Sequence, residues 1–291
     1  MDTILEVQSL CKQYKKSDFS LHDVSFSLPR GAIMGFVGEN GAGKSTTIGC
    51  ILNTLIKDGG SIKVFGKEMA DDRVDIRNDI GVVYETNSFP EHLTATQITS
   101  AMGYIYSEWD DKLFGEYLAK FRLPKNKRIK TFSRGMTMKL AIAVALSHRP
   151  KLLILDEATS GLDPIARDEI LDVFLDFVQD ENHSIFLSSH ITSDLEKVAD
   201  YITFIHEGKI IFSEKKDVLK YHYGIMRLKA AQFDGVEKQD ILAVRRHDYQ
   251  IDVLVADKQG AEKKYFGVVI DNITIDEIML MLVKGENTNA G

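Results

Sequence analysis

The stretch Gly38-Glu39-Asn40-Gly41-Ala42-Gly43-Lys44-Ser45-Thr46 limits what this chain can fold into more than any other. It follows an apolar run, Ala32 to Val37, that reads as a buried strand, and precedes Thr47 to Leu55, which reads as a helix. Strand, glycine loop, Lys-Ser and helix are the context of a phosphate-binding P-loop. Glycines let successive N–H groups turn toward phosphate oxygens. The helix adds its unsatisfied N–H groups and the positive end of its dipole. Lys44 is placed to reach β- and γ-phosphates, and the Ser45 hydroxyl to bind Mg²⁺. A Gly-rich turn with a capping Ser would explain the loop alone, but not its flanks.

A second strong element is Lys151-Leu152-Leu153-Ile154-Leu155-Asp156-Glu157. Its apolar residues predict a buried parallel strand, and two carboxylates emerge at the C-terminal end, the edge where open α/β sheets bind ligands. Asp156 is expected to bind Mg²⁺ through its water shell, and Glu157 to polarise a water near the γ-phosphate. Ser184 to Ser189 predicts a further strand ending at His190. A lone His after a strand is more often structural, but beside these elements a γ-phosphate contact is the better reading.

Around this core the chain reads as follows. Ile4 to Leu10 and Phe19 to Leu28 predict strands of a small antiparallel sheet, parted by the turn Lys15 to Asp18. Tyr14, just before that turn, could stack on a purine ring. A turn at Lys57 to Gly60 precedes a short strand, Ser61 to Phe65, and Ile80 to Tyr84 is another, ending at Glu85. From about residue 91 to 150 the pattern turns helical, with helices over Thr96 to Tyr106 and Asp110 to Phe121, Trp109 as a core anchor, and Pro124 as a break. Ser133 and Gly135 then open a helix through Leu146, presenting a hydroxyl and free N–H groups as a second, weaker anion site. Ser160 to Pro164, containing Asp163, is a tight turn before a helix from Ile165 to Val178. A helix from Thr192 to Ala199 and a hairpin from Tyr201 to Phe212, turning near Gly208, complete this region.

The sequence changes character near Tyr221 to Gly224. Ile225 to Ala230, Ile241 to Arg245, Ile251 to Val255 and Lys264 to Ile270 read as short strands. Thr274 to Glu277 is a capping box opening a last helix through Val283, and Glu286 to Gly291 is a polar tail expected to fray. The fold class is therefore α/β: a P-loop NTPase core, a small antiparallel β subdomain, an inserted α-helical subdomain and a small C-terminal α+β appendage. The expected boundaries are 1–220, with the helical part at 91–150, and 221–291.

Thirty-six Lys and Arg against 43 Asp and Glu leave a net charge of −7, which argues against non-specific nucleic-acid binding. Cys11 and Cys50 sit in apolar contexts and read as small buried hydrophobes in a reduced compartment. The N-terminal residues carry acids where a signal peptide carries bases, and no apolar run approaches the roughly 20 residues a spanning helix needs. A membrane role would be borrowed from a partner.

Taken in order, Tyr14, the P-loop, Glu85, Ser133-Arg134-Gly135-Met136, Asp156-Glu157, Asp163 and His190 resemble the motifs of an ABC transporter ATP-binding subunit over about residues 1–220. The resemblance implies ATP and Mg²⁺ as cofactors, with Gly38, Asn40, Gly41, Ala42, Gly43, Lys44, Ser45 and Thr46 on the nucleotide. It implies Ser45, Asp156 and Glu85 at the metal, and Glu157, His190 and Lys44 in catalysis. It also implies a head-to-tail dimer, homo- or heteromeric, in which Ser133, Gly135 and Asp163 meet nucleotide held by the opposite copy. A separate membrane permease would be driven by ATP hydrolysis, placing the protein on the cytoplasmic face of the membrane.

Two departures from the family pattern stand out. The usual Leu-Ser-Gly-Gly-Gln has Phe132, Arg134 and Met136 at three positions, and Glu85 stands where a Gln is usual. A carboxylate there is expected to make metal binding or coupling pH-sensitive. Residues Glu85 to Pro90, Trp109-Asp110 and Arg134 to Met136 resemble the ABC-2 type exporter group, which handles antibiotics, antimicrobial peptides, lipids or ions. The alternatives are a non-transport ABC ATPase acting on nucleic acid or ribosomes, and a P-loop kinase or GTPase.

Overall fold

β1 (Thr3–Gln13) and β2 (Ser20–Pro29) form an antiparallel pair in the computed structural model, which describes residues 2–15, 19–70, 73–86 and 89–286. Most of the turn expected at Lys15 to Asp18 lies outside those residues. Along β2 the buried residues are Leu21, Val24, Phe26 and Leu28. The three-residue step from Leu21 to Val24 breaks strict alternation at a register shift, where Asp23 has a φ of 51°. β3 (Ile33–Val37) is buried at every residue and leads into α1 (Lys44–Ile51).

β4 (Gly59–Val64) and β5 (Lys67–Glu68) complete a sheet of order β2-β1-β4-β5. β4 starts two residues earlier than the sequence suggests, because Gly59 already pairs with Cys11 of β1. α2 (Val74–Asn78) and β6 (Ile80–Val83) follow. The helical insertion holds α3 (Ala95–Ile105), α4 (Asp111–Lys120) and α5 (Arg134–Leu146), and ends at β7 (Leu152–Asp156). Local chemistry sets these starts: Thr94 and Gln97 form a capping box for α3, and the Asp110 carboxylate caps α4. Trp109 is only half-buried rather than a core anchor. It packs on Phe114 at 5.2 Å between ring centroids and donates its Nε1–H to Asp111.

α6 (Pro164–Phe177), β8 (Ser184–Ser189), α7 (Thr192–Val198), β9 (Tyr201–His206) and β10 (Lys209–Lys215) come next. Strands β3, β8, β7 and β6 are parallel neighbours in a six-stranded sheet of order β10-β9-β3-β8-β7-β6. Helices cover parallel sheets on both faces, so these strands read as unbroken apolar runs. Phe26 of β2, Phe36 of β3 and Phe186 of β8 meet at 5.1–5.5 Å and join the two sheets in one core.

Packing divides the chain into two units, Met1–Ala199 with Ile205–Ile210, and Asp200–Phe204 with Ile211–Gly291. The second holds α8 (Lys216–Tyr221), β11 (Gly224–Leu228), α9 (Ala230–Phe233), β12 (Ala243–Arg246), β13 (Ile251–Val255), α10 (Lys258–Lys264), β14 (Val269–Asp271) and α11 (Ile275–Lys284). Its antiparallel sheet has the order β12-β13-β11-β14, the split β-α-β-β-α-β arrangement. Met226, Leu228, Val244, Val253 and Val255 centre its core.

The strand expected over Lys264 to Ile270 is corrected: Lys264 ends α10, and β14 begins only at Val269. The polar run Lys258–Lys264 carries no apolar stripe, and its helix is set by Asp257, which accepts from Gly260 N–H at 2.9 Å. Nor is Glu286 frayed. It exchanges backbone hydrogen bonds with Val244, and the rest of the tail lies outside the described residues. Among the described residues, no helix is long and apolar enough to cross a membrane.

Candidate nucleotide site

The loop from Gly38 to Gly43 joins β3 to α1. Gly43 is the helix N-cap at φ 116°, and a β-carbon there would lie 2.7 Å from Leu21 Cδ2 and 3.0 Å from Phe19 Cζ. Only glycine satisfies both the backbone and the space, so no side chain caps α1 and its first N–H groups remain for a ligand. Lys44 is buried, and its ammonium donates to Gly38 O at 2.7 Å and Glu39 O at 3.2 Å, curling over its own loop. Gly38 and Ala42 are buried, Asn40, Gly41 and Ser45 are exposed, and Thr46 is intermediate. The Tyr14 hydroxyl lies 3.4 Å from Thr46 Oγ1, which sets the aromatic ring beside the first turn of α1.

At the end of β7, Asp156 and Glu157 are both nearly buried. Ser188 of β8 fixes them: its hydroxyl donates to Asp156 Oδ1 at 2.6 Å, and its carbonyl accepts from Glu157 N–H at 3.1 Å. Glu157 sits at φ 54°, a left-handed conformation that costs a non-glycine residue about 1 kcal/mol or more. That turn points the carboxylate two ways. Oε2 lies 2.7 Å from His190 Nδ1, within hydrogen-bond distance. Oε1 lies 3.2 Å from Lys44 Nζ without hydrogen-bond alignment, leaving a buried oxygen with no hydrogen-bond partner. Such an orphan fits a water molecule presented for reaction. Burial, aided by the nearby Asp156 charge, raises the Tyr84 hydroxyl above its ordinary pKa, which marks the convergence of the β6 and β7 ends.

A second group gathers at the start of α5. Ser133 caps that helix, its hydroxyl accepting from Met136 N–H at 3.2 Å. Gly135 packs near Asp163, and a β-carbon at Gly135 would lie 4.0 Å from Asp163 Oδ2. Asp163 caps α6 by accepting from the N–H groups of Ala166 and Ile165, which hold its carboxyl below the usual range. Among the described residues, no hydrogen bond or ion pair links Ser133, Gly135 or Asp163 to Lys44, Glu157 or His190. Glu85 is half-exposed, and its Oε1 accepts from Arg134 Nη2 at 3.1 Å.

Sequence reasoning missed Ser188, although the polar end of an otherwise apolar strand just before His190 was its signal. The Glu85–Arg134 contact, across 49 positions, carried no local signal. Among the described residues, no group of three or more His, Cys, Asp or Glu could hold a metal ion. Asp156 and Ser45 offer hard oxygen donors instead. This suits Mg²⁺, which takes one or two protein oxygens and keeps waters and phosphate oxygens for the rest.

Residues 21–160 match the family model described as ABC transporter. The bacitracin transport ATP-binding protein BcrA of Bacillus licheniformis is 36% identical over 222 residues, covering 76% of this chain and 72% of that protein. The lantibiotic transport ATP-binding protein SrtF of Streptococcus pyogenes is 38% identical over 220 residues, covering 74% and 92%. A solved structure of an ATP-binding subunit of an ABC transporter superposes with a TM-score of 0.66 at 30% identity, covering 75% of this chain and 92% of that one.

Proposed function

The chain belongs to the ABC transporter family as an ATP-hydrolysing subunit, and from that premise we propose how its residues divide the work of powering export. The observation that carries the proposal is the convergence of Lys44 and His190, from distant parts of the chain, on the Glu157 carboxylate at 3.2 Å and 2.7 Å. In this reading, N–H groups of the loop and the start of α1 bind the phosphates. Lys44 exchanges its carbonyl partners for β- and γ-phosphate oxygens, and Tyr14 stacks on the base. Ser45 and Asp156 would hold Mg²⁺, which when bound neutralises phosphate charge. Glu157 Oε1 takes the proton of the attacking water, while His190 holds the other oxygen and orients the carboxylate.

Ser133, Gly135 and Asp163 serve a different nucleotide, that of a second ATP-binding subunit facing head to tail. Among the described residues, no hydrogen bond or ion pair joins them to Lys44 of the same chain, which supports this, as does an α5 start that offers a hydroxyl and N–H groups. The pair docks on a membrane permease at the inner face of the membrane and drives export, with antibiotic or peptide cargo suggested by the bacitracin and lantibiotic transport relatives. The transport names of those relatives favour this over action on nucleic acid.

Glu157→Gln tests the assignment. It is expected to lower the steady-state ATPase rate by about 10²–10⁴-fold, while ATP binding persists and ATP drives the protein into a stable dimer in size-exclusion chromatography. Turnover within a few-fold of the parent would remove Glu157 from its role.

A further inference from the structure

Two of the four positions that depart from the family motifs, Glu85 and Arg134, meet in the folded chain. Arg134 is the first residue of α5, directly after its cap Ser133, and its Nη2 donates to Glu85 Oε1 at 3.1 Å. The same guanidinium lies across Gly161 in the loop after β7. A β-carbon there would fall 2.7 Å from Arg134 Nη1 and 2.8 Å from Cζ, and Gly161 has a φ of 67°. β6 and β7 are parallel neighbours, with Val83 paired to Leu155, so Glu85 and Gly161 leave the same sheet edge from adjacent strands. Arg134 spans both exits from the start of the helix.

We propose that Arg134 is a positioning residue that, with Glu85 as its counter-ion and Gly161 as the surface it lies on, fixes the start of α5 against the ends of β6 and β7. The proposal rests on the reading that Ser133 and Gly135 complete a partner's nucleotide site. Both members of the ion pair are about half exposed, so it adds little to global stability. Its effect is orientational. It sets Ser133 and Gly135 relative to the strand that carries Asp156 and Glu157, so a copy presents its helix start in register with its own hydrolytic strand. A glycine at position 134 could make no such link. Glu85 thus acts through Arg134 rather than on the metal.

A double-mutant cycle on the full chain decides the matter, using Glu85→Gln, Arg134→Gln, the double variant and the exchange Glu85→Arg with Arg134→Glu. Each single variant is expected to lower kcat by about fivefold with KM for ATP nearly unchanged, and the double variant to lose no more than either single. The charge exchange is expected to restore part of the loss, that owed to the ion pair and not to the contact with Gly161, and the coupling to shrink as salt is raised, since the pair is solvent-accessible. Hydrogen exchange at residues 133–137 should quicken in both single variants, a readout independent of turnover. Losses that multiply in the double variant overturn the proposal. So does a raised Mg²⁺ requirement in Glu85→Gln alone, which would put that carboxylate at the metal. Failure of the parent reading would look different: a Lys44→Ala copy mixed with a Ser133→Glu copy would then regain no ATPase activity, whatever the cycle shows.

Discussion

Glu157 has its two carboxylate oxygens in different settings, and that asymmetry organises the chemistry at the residue scale. Oε2 is held by His190, while Oε1 faces the Lys44 ammonium at 3.2 Å and has no hydrogen-bond partner. On the proposed reading, His190→Ala leaves the base present but unaimed, and we expect kcat to fall by about 10²-fold with KM within about threefold of the parent, in steady-state assays over a range of ATP concentrations. Gly43→Ala acts earlier. The new methyl must enter space held by Leu21 and Phe19, on a backbone at φ 116°, so strain of about 1–3 kcal/mol falls on the phosphate loop itself. ATP affinity measured by titration calorimetry is expected to drop at least about tenfold, since the N–H groups that line the loop move with it.

At the scale of elements, His148 shows how the helical insertion is fastened to the sheet. It follows α5, stacks on Tyr106 at 3.9 Å between centroids, and its Nδ1 lies 3.1 Å from Asn78 O, just before β6. Nε2 is buried without a partner, and burial pushes the imidazole below its usual pKa despite the Asn78 contact. The unfolded chain takes up this proton first as pH falls, so stability is complete above about pH 6.5 and declines below it through the lower folded value. Thermal denaturation between pH 7.5 and 5.5 should show a shallower pH slope in His148→Phe, which keeps the aromatic stack and removes the titrating ring.

Elements of this kind differ in how far sequence foretells them. The phosphate loop, the Asp156-Glu157 strand end and the helix starts at Ser133 and Thr274 were legible, because each is specified by residues a few positions apart. α10 and α8 were not, being short and polar, with one buried residue each and no stripe to count. Ser188 on Asp156, His148 on Asn78 and Arg134 on Glu85 are contacts between distant parts of the chain, created only when strands choose their neighbours.

For the whole molecule, the two groups of site residues pose a question of stoichiometry. If Ser133 serves the nucleotide of another copy, two inactive variants should complement each other. A Lys44→Ala chain supplies an intact helix start, and a Ser133→Glu chain an intact phosphate loop, so one working composite site forms in each mixed pair. Measured as ATPase activity, the mixture is expected to exceed either variant alone by about tenfold or more. No gain on mixing would place the complete site within one copy.

The aromatic contact among Phe26, Phe36 and Phe186 gives this question a mechanical side. It locks the hairpin that ends in Tyr14 to the strands that lead into Gly38 and His190, so the grip on the base and the grip on the phosphates form a single stiff jaw. On the proposed reading, a jaw of that kind is closed by a second body swinging in as a unit, and that swing would be what pulls on the membrane.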